Sequence, residues 1–211
     1  MNHSILSVTV YKVTTGGRDA YLADRASRLD AVRSQRGVQL ARGLESVTSY
    51  TKSGAEGVYM ELVQWASLAA ADAAPLQPAP DALASNIASG RFDSLGGRGV
   101  DLAARIRPGQ AIEFGLRRIR PSKQAIFGTR RAAFMRGVKE NPGVCFDFEL
   151  RSVDGDDLSM VLFGWDSLAH FEAAGRRQMW SPGFWWQALR YFPLMRQVTF
   201  QVGVVDDVSE A

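Results

Sequence analysis

The 211-residue sequence predicts an α+β fold made of two similar halves, each with the element order β-α-β-β-α-β. The stretch 65–74 (WASLAAADAA) recurs 100 positions later as 165–174 (WDSLAHFEAA), with six of the ten residues identical. Each copy follows an alternating apolar segment and begins with a Trp at the predicted strand end, two residues before a Ser that can cap a helix. A repeat with this spacing indicates two copies of one structural unit of about 100 residues.

The elements of the first half follow from the hydrophobic periodicity. Leu6, Val8 and Val10 alternate with polar neighbours and predict a strand, whereas the apolar stripe of 19–36 predicts an amphipathic helix. Prolines at 75, 78 and 80 end the Ala-rich helix that follows the first Trp. The predicted elements are a strand at 6–10, a helix at 19–36, strands at 44–51 and 57–65, a helix at 67–74, a short segment at 82–89 capped by Asp81, and, after a glycine loop at 96–99, a fourth strand at 100–107.

The second half repeats this order after a turn at Pro108-Gly109, which divides the chain into halves at 1–108 and 109–211. Asp154-Gly155-Asp156 is a hairpin signal between two of its strands. The predicted elements are a strand at 111–119, a helix from 121 to about 139, strands at 144–151 and 158–165, a helical block at 166–192 and a strand at 196–205. This order is that of the ferredoxin-like unit, whose sheet has helices on one face only. We therefore expect the two halves to pack sheet to sheet as an α+β barrel within one chain.

Composition narrows the classes of partner. The net charge is +3 and the pI about 9.2, but the arginines are scattered and form no basic stripe, so we expect no nucleic-acid partner. Cys145 is the single cysteine, which predicts no disulfide, no cysteine metal site and a cytoplasmic location. No apolar run approaches the ~20 residues of a membrane helix, and we expect no membrane partner. We also expect no metal and no other cofactor.

Glu61 is the first candidate for chemistry. The alternation of its strand places Tyr59, Glu61 and Trp65 on one face. A carboxylate between aromatic residues on a half-buried strand can act as a general base, but it can equally be neutralised by an arginine. Both interpretations stay open.

The second half offers further candidates. His170 follows the second Trp on the predicted helix and is either a catalyst or an exposed polar residue. The carboxylates Glu113, Asp147 and Glu149 form either a salt-bridge network with nearby arginines or the polar lining of a ligand site. Aromatic residues between 180 and 192 exceed what one helix stripe can bury, which favours a flat ligand or an oligomer interface. The predicted substrate-binding residues are Tyr59, Trp65, Trp165, Trp180, Phe184 and Trp185.

The motif FGWDSLAHF at 163–171, followed by WSPGF at 180–184, resembles the dimeric α+β barrel superfamily, in particular the antibiotic-biosynthesis monooxygenase type of domain. There two chains usually pair; here the tandem repeat takes the place of the dimer. The resemblance implies that the strand-end Trp65 and Trp165 line a pocket. The Asn that these monooxygenases carry four residues before the Trp is Glu61 in one half and Val161 in the other.

The resemblance implies a cofactor-independent monooxygenase-like enzyme acting on an aromatic or polyketide-like small molecule. The residues themselves suggest Glu61 and His170 as its catalytic residues. The alternatives are a non-enzymatic protein of the same fold that binds a small ligand or oligomerises, and a haem-binding relative. In the haem-degrading members an axial histidine follows the helix break, whereas 184–188 reads FWWQA here. We expect a monomer that acts as a pseudo-dimer, or a homodimer. We also expect the larger pocket in the aromatic-rich second half.

Overall fold

The computed structural model describes residues 3–49, 56–74, 76–95, 99–155 and 157–206. Within them, eight antiparallel strands close into a barrel in the order β1-β3-β2-β8-β5-β7-β6-β4. The strands are β1 (Ile5–Val13), β2 (Val38–Ser49), β3 (Val58–Trp65), β4 (Ala84–Ser94), β5 (Ala111–Ile119), β6 (Val144–Ser152), β7 (Leu158–Trp165) and β8 (Met195–Val205). The helices are α1 (Arg18–Arg33), α2 (Leu68–Ala73), α3 (Gln124–Lys139), α4 (Leu168–Met179) and α5 (Pro182–Tyr191).

Each half forms a four-stranded sheet with the strand order of the ferredoxin-like unit, which confirms the predicted fold class. The central pairs match between the halves, since Ile5 of β1 lies opposite Trp65 and Ala111 of β5 lies opposite Trp165. The division of the chain at Pro108-Gly109 stays a prediction.

The two sheets join at both edges. Strand β2 pairs with β8 from Leu44 opposite Val205 to Ser49 opposite Gln201, and β4 pairs with β6 over the shorter contact from Phe92 to Ser94. Because every edge strand finds a partner in the other half, the barrel leaves no unpaired sheet edge.

Alternation along the strands sends side chains to two different cores. One set fills the barrel interior, including Leu6, Met60, Phe114 and Leu162, all at most 1% exposed. The other set lies on the outer sheet face and packs beneath the helices, in clusters around Trp65 in the first half and Trp165 in the second. The candidate residues belong to this outer set.

Both repeat copies begin a helix in the same way. The side chain of Ser67 accepts a hydrogen bond from the N–H of Ala70, and that of Ser167 accepts one from the N–H of His170. An N-cap serine satisfies one of the free N–H groups of the first turn, and this explains the abrupt change from strand to helix after each Trp.

The predicted fourth strand of the first half is wrong. Residues 84–94 form β4, where a short capped segment was expected, and 99–110 form turns and irregular structure. Val100 and Leu102 alternate because they point into the barrel interior, where both are fully buried, and not because they pair with a neighbouring strand. The Gln64 side chain accepts hydrogen bonds from the N–H groups of Leu102 at 2.7 Å and Ala103 at 3.2 Å and so fixes this segment against the barrel.

Three sequence features lie outside the described residues: Pro75, the glycine pair at 96–97, and Asp156 of the predicted hairpin. Among the described helices, none is both long and apolar enough to span a membrane.

Candidate functional site

Glu61 lies on the outer face of β3 beneath α1 and is 5% exposed. Both its oxygens accept hydrogen bonds from Arg28, at 2.8 Å each, and Oε1 also accepts one from the Tyr21 hydroxyl at 3.1 Å. Burial is the main cause that raises the pKa of Tyr21, followed by the neighbouring Glu61 charge, so the phenol stays a donor. Glu61 is therefore paired with an arginine, as in the second of the two interpretations, and its role as a base stays a prediction.

Aromatic rings surround this ion pair. Tyr59 is buried, its ring centroid lies 5.1 Å from that of Tyr21, and its hydroxyl donates to Glu45 at 3.3 Å. The Arg28 guanidinium lies 5.6 Å from the ring centroid of Tyr11. A cavity of about 50 Å³ adjoins Arg28 and Glu61. This volume suits one or two water molecules, whereas a drug-sized ligand needs about 300 Å³ or more.

The two repeat tryptophans are both 1% exposed, and each donates its indole N–H to the same position of the first strand of its own half. Trp65 Nε1 donates to Ser7 Oγ at 3.0 Å, and Trp165 Nε1 donates to Glu113 Oε1 at 2.7 Å. Ser7 and Glu113 correspond because each lies two residues after the residue opposite the Trp. The second half therefore has a carboxyl group where the first has a hydroxyl.

Glu113 differs electrostatically from Glu61. It lies on β5 between Phe163 of β7 and Val202 of β8, and it keeps partial exposure to solvent. Burial of the carboxyl group raises its pKa from 4.5 to about 7; the hydrogen bond from Trp165 lowers the pKa, and the nearby Asp147 charge raises it. A carboxyl group with a pKa near neutrality can accept a proton from a substrate and return it.

The other carboxylates of this half form an ion-pair network with α3. Arg131 binds Asp147 and lies 2.5 Å from Glu149, and Lys139 lies 2.7 Å from Asp147. Arg117 binds Glu149 from β5. These arginines and the lysine compensate the charges of Asp147 and Glu149, whereas Glu113 is not part of the network. The three carboxylates that the sequence analysis grouped together therefore differ in their surroundings.

His170 lies on the exposed side of α4, away from the buried Trp165 ring. Its Nδ1 is 3.1 Å from Ser167 Oγ, and its ring packs over the backbone at Gly143. The structure therefore separates His170 from both carboxylates, and its catalytic role stays a prediction.

The aromatic residues predicted to bind a ligand in the second half lie in two different places. Phe184 is half-buried and packs with the Trp165 cluster, and its ring centroid lies 5.3 Å from that of Phe134. Trp180 is 88% exposed and Trp185 is 49% exposed. Of the aromatic residues proposed for the second half, the structure brings only Trp165 and Phe184 into one cluster.

Sequence reasoning grouped Glu113 with the ion pairs and did not single out Arg28 or Tyr21. The signal for Glu113 was available in the repeat: once Trp165 is placed opposite Ala111, alternation puts Glu113 on the face that the indole N–H reaches. The Arg28 contact joins a helix to a strand 33 residues away, a separation at which periodicity gives no pairing information.

No group of three or more metal-ligating side chains occurs among the residues that the structure describes. The described residues of the Trp165 cluster offer haem no axial ligand, because they include no histidine and His170 is exposed.

Comparison with known proteins bears on the fold. No family model and no curated protein sequence matches the chain. A candidate monooxygenase from Fusobacterium nucleatum subsp. nucleatum is similar in structure, with 9% identity, a TM-score of 0.61, and coverage of 98% of this chain and 95% of that chain. An anthrone oxidase-like protein has 14% identity, a TM-score of 0.59, and coverage of 99% and 95%. A chlorite dismutase variant from Candidatus Nitrospira defluvii has 11% identity, a TM-score of 0.56, and coverage of 100% and 94%.

These matches run through both halves and the closed barrel. The chain has the dimeric α+β barrel fold. This is the fold that the resemblance in the sequence implied, and here a single chain supplies both halves. At these identities the likeness concerns the fold alone, and the chemistry has to be argued from the residues of this α+β barrel.

Proposed function

We propose that this α+β barrel is a cofactor-independent oxygenase that acts on a flat phenolic or polyketide-like molecule, with Glu113 as its base. The supporting observation is the buried carboxyl group of Glu113, which has a pKa of about 7 and accepts a hydrogen bond from the Trp165 indole. A base with a pKa near neutral pH is half deprotonated there and can remove a weakly acidic C–H or phenolic proton.

The surroundings of Glu113 suit such a substrate. Phe163 and Trp165 belong to the apolar cluster on the outer face of the sheet, and Phe184 of α5 packs against that cluster from the helix side. A bound aromatic ring would displace Phe184 and stack in its place, which keeps water away from the carbanion. The carbanion then reacts with dioxygen: one oxygen atom stays as a carbonyl, and the other leaves as water with the two hydrogens of the substrate.

Oxygen uptake with an anthrone tests the proposal. We expect uptake by the wild-type chain and a loss of about 100-fold or more in Glu113→Gln, since general-base catalysis contributes about 10²–10⁴. Glu140→Gln, which changes an exposed carboxylate in the same half, is the matched control. Absence of uptake across anthrones and related phenols, or equal loss in the control, would contradict the proposal.

Glu61 and His170, predicted as catalytic from the sequence, are tested in the same assay. Uptake that persists in Glu113→Gln and is lost in Glu61→Gln or His170→Ala would move the reaction to those residues. The prediction that the second half holds the larger pocket is tested by Trp65→Ala and Trp165→Ala. We expect Trp165→Ala to lower ligand affinity by more than its loss of folding stability explains.

A non-enzymatic ligand-binding protein is the second candidate. The observation in its favour is that both oxygens of Glu61, the base predicted from the sequence, are bound by Arg28. Binding of an anthraquinone, followed by quenching of tryptophan fluorescence, without oxygen uptake from any anthrone would support this role. A cytoplasmic location and a monomeric or homodimeric state stay predictions, checked by cell fractionation and sedimentation velocity.

A further inference from the structure

Helix α5 exposes an apolar face to solvent. Its inner side is occupied by Phe184, Ala188 and Tyr191, of which the last two are buried. On its outer side Trp185 is 49% exposed, Trp186 58% and Leu189 69%. An ordinary surface helix has polar residues on its outer side, so α5 is apolar on both sides.

The exposed surface continues beyond the helix. Met179 and Trp180, at the end of α4, are 64% and 88% exposed, and Phe192 after α5 is 44% exposed. The indole N–H of Trp185 donates to the backbone oxygen of Met179 at 2.9 Å, which ties the α4–α5 turn to the helix. Monomeric proteins rarely leave a contiguous patch of large apolar side chains uncovered without a use for it. We call Met179, Trp180, Trp185, Trp186, Leu189 and Phe192 the aromatic face.

Arginines predominate along the chain around the aromatic face, and the acidic residue that precedes them, Glu172, lies 3.7 Å from Arg176. The sequence from Ala173 to Val205 contains four arginines and neither Asp nor Glu. The Arg190 guanidinium lies 5.0 Å from the ring centroid of Trp186, and the Arg176 side chain is 70% exposed. The partner of this surface therefore has an apolar layer and negative charge next to it.

We propose that the aromatic face docks on an anionic membrane surface. Tryptophan prefers the interface between lipid headgroups and acyl chains, and an amphipathic helix with Trp and Leu on one face and Arg beside it lies in the plane of that interface. A second copy of the chain fits less well, because twofold pairing through this face would bring the arginines of both copies together. The sequence-based expectation of no membrane partner considered spanning segments only, and this proposal revises it for a peripheral contact.

Vesicle sedimentation with the full chain is the test. We expect binding to vesicles of mixed phosphatidylcholine and phosphatidylglycerol, a blue shift of tryptophan emission, and about tenfold weaker binding to phosphatidylcholine alone. High salt should weaken the anionic binding, since it screens the arginines. Reversing Arg190 in Arg190→Glu should lower the affinity about fivefold or more.

The double variant Trp180→Ser/Leu189→Ser removes exposed apolar surface and should lower vesicle binding about tenfold or more. Leu95→Ser is the matched control, because Leu95 is 57% exposed but lies after β4 in the first half. Lack of binding to both vesicle types, equal binding to both, or an equal loss in Leu95→Ser overturns the proposal. A reversible dimer in sedimentation velocity that the double variant abolishes, with no vesicle binding by the wild type, would assign the face to a second copy instead.

Discussion

At the scale of single residues, Glu113 is set apart from the other carboxylates by what it lacks. Asp147 and Glu149 are bound by Arg131, and Glu61 is bound by Arg28, whereas Glu113 accepts one hydrogen bond from a neutral indole. Its raised pKa is the physical consequence, because burial penalises the charged form and no cation among the described residues forms an ion pair with it to offset the penalty.

This raised pKa predicts a pH dependence of stability. The unfolded state loses the Glu113 proton near pH 4.5 and the folded state near pH 7. Between these values the folded state binds more protons, so the free energy of unfolding falls as pH rises, by up to about 3 kcal/mol for this group. Urea unfolding of the wild type and of Glu113→Gln between pH 4.5 and 8 measures this fall in the free energy of unfolding.

The variant should lose most of that slope and keep the pH dependence due to other groups. Equal slopes in both proteins would show that Glu113 titrates at its ordinary pKa and would weaken its role as a base.

For Glu61, which is paired with a cation, we expect that removing the charge lowers stability. Removing its charge in Glu61→Gln leaves the Arg28 guanidinium, whose side chain is 10% exposed, with Asp24 as its remaining ion-pair partner. We expect a loss of about 3 kcal/mol in the free energy of unfolding, because a buried charge is then incompletely paired. Glu61→Leu combined with Arg28→Met should recover a large part of the loss in a double-mutant cycle. Additive losses would contradict direct coupling.

At the scale of the element, β7 depends on a glycine inside the barrel. A Cβ added at Gly164 would lie 2.3 Å from Cε1 of Phe146 on the neighbouring strand β6. Gly164→Ala should therefore lower the free energy of unfolding by about 1–3 kcal/mol through overpacking. Gly128→Ala on α3 meets nothing within 4 Å and should be stabilising by about 0.4–1 kcal/mol, which makes it the control. Equal effects of the two variants in thermal unfolding would contradict this account.

The same elements show what the sequence can specify. β5 and β7 were predicted with their observed bounds because strict alternation marks both ends and the repeat fixes the Trp. β4 was missed because its sequence contains Gly90 and several polar residues and lacks a regular apolar alternation. The apolar alternation at 100–107 arises because Val100 and Leu102 are buried, and they do not pair as a strand. Contacts between residues of different elements, such as Arg28 with Glu61, could not be predicted from the sequence. Periodicity shows which face of an element a residue lies on, but not which residue it contacts there.

At the scale of the whole molecule, each half depends on the other for its inner surface. Leu6, Met60 and Val8 of the first half share one buried cluster with Ile112, Phe114 and Met160 of the second. A separate half would expose this surface to water, and edge strands β2 and β4 would lose their partners β8 and β6.

We therefore predict that fragments 1–108 and 109–211 do not fold as monomers when expressed singly and that they recover the barrel when expressed together. Size-exclusion chromatography and circular dichroism of the single and mixed fragments measure this. A stable, monomeric single fragment with native-like near-ultraviolet signal would contradict the prediction and would make each half an independent domain.

The two strand-end tryptophans show what the single chain permits. In a barrel of two identical chains, any substitution appears twice, so a buried carboxyl group with a raised pKa would bring its destabilising effect twice. Here the halves are related by an approximate symmetry, and Trp65 meets a serine where Trp165 meets Glu113. Fusion into one chain thus lets one half specialise while its counterpart keeps a neutral hydrogen bond, and only one of the two equivalent positions carries a carboxyl group where a symmetric assembly would carry one at both.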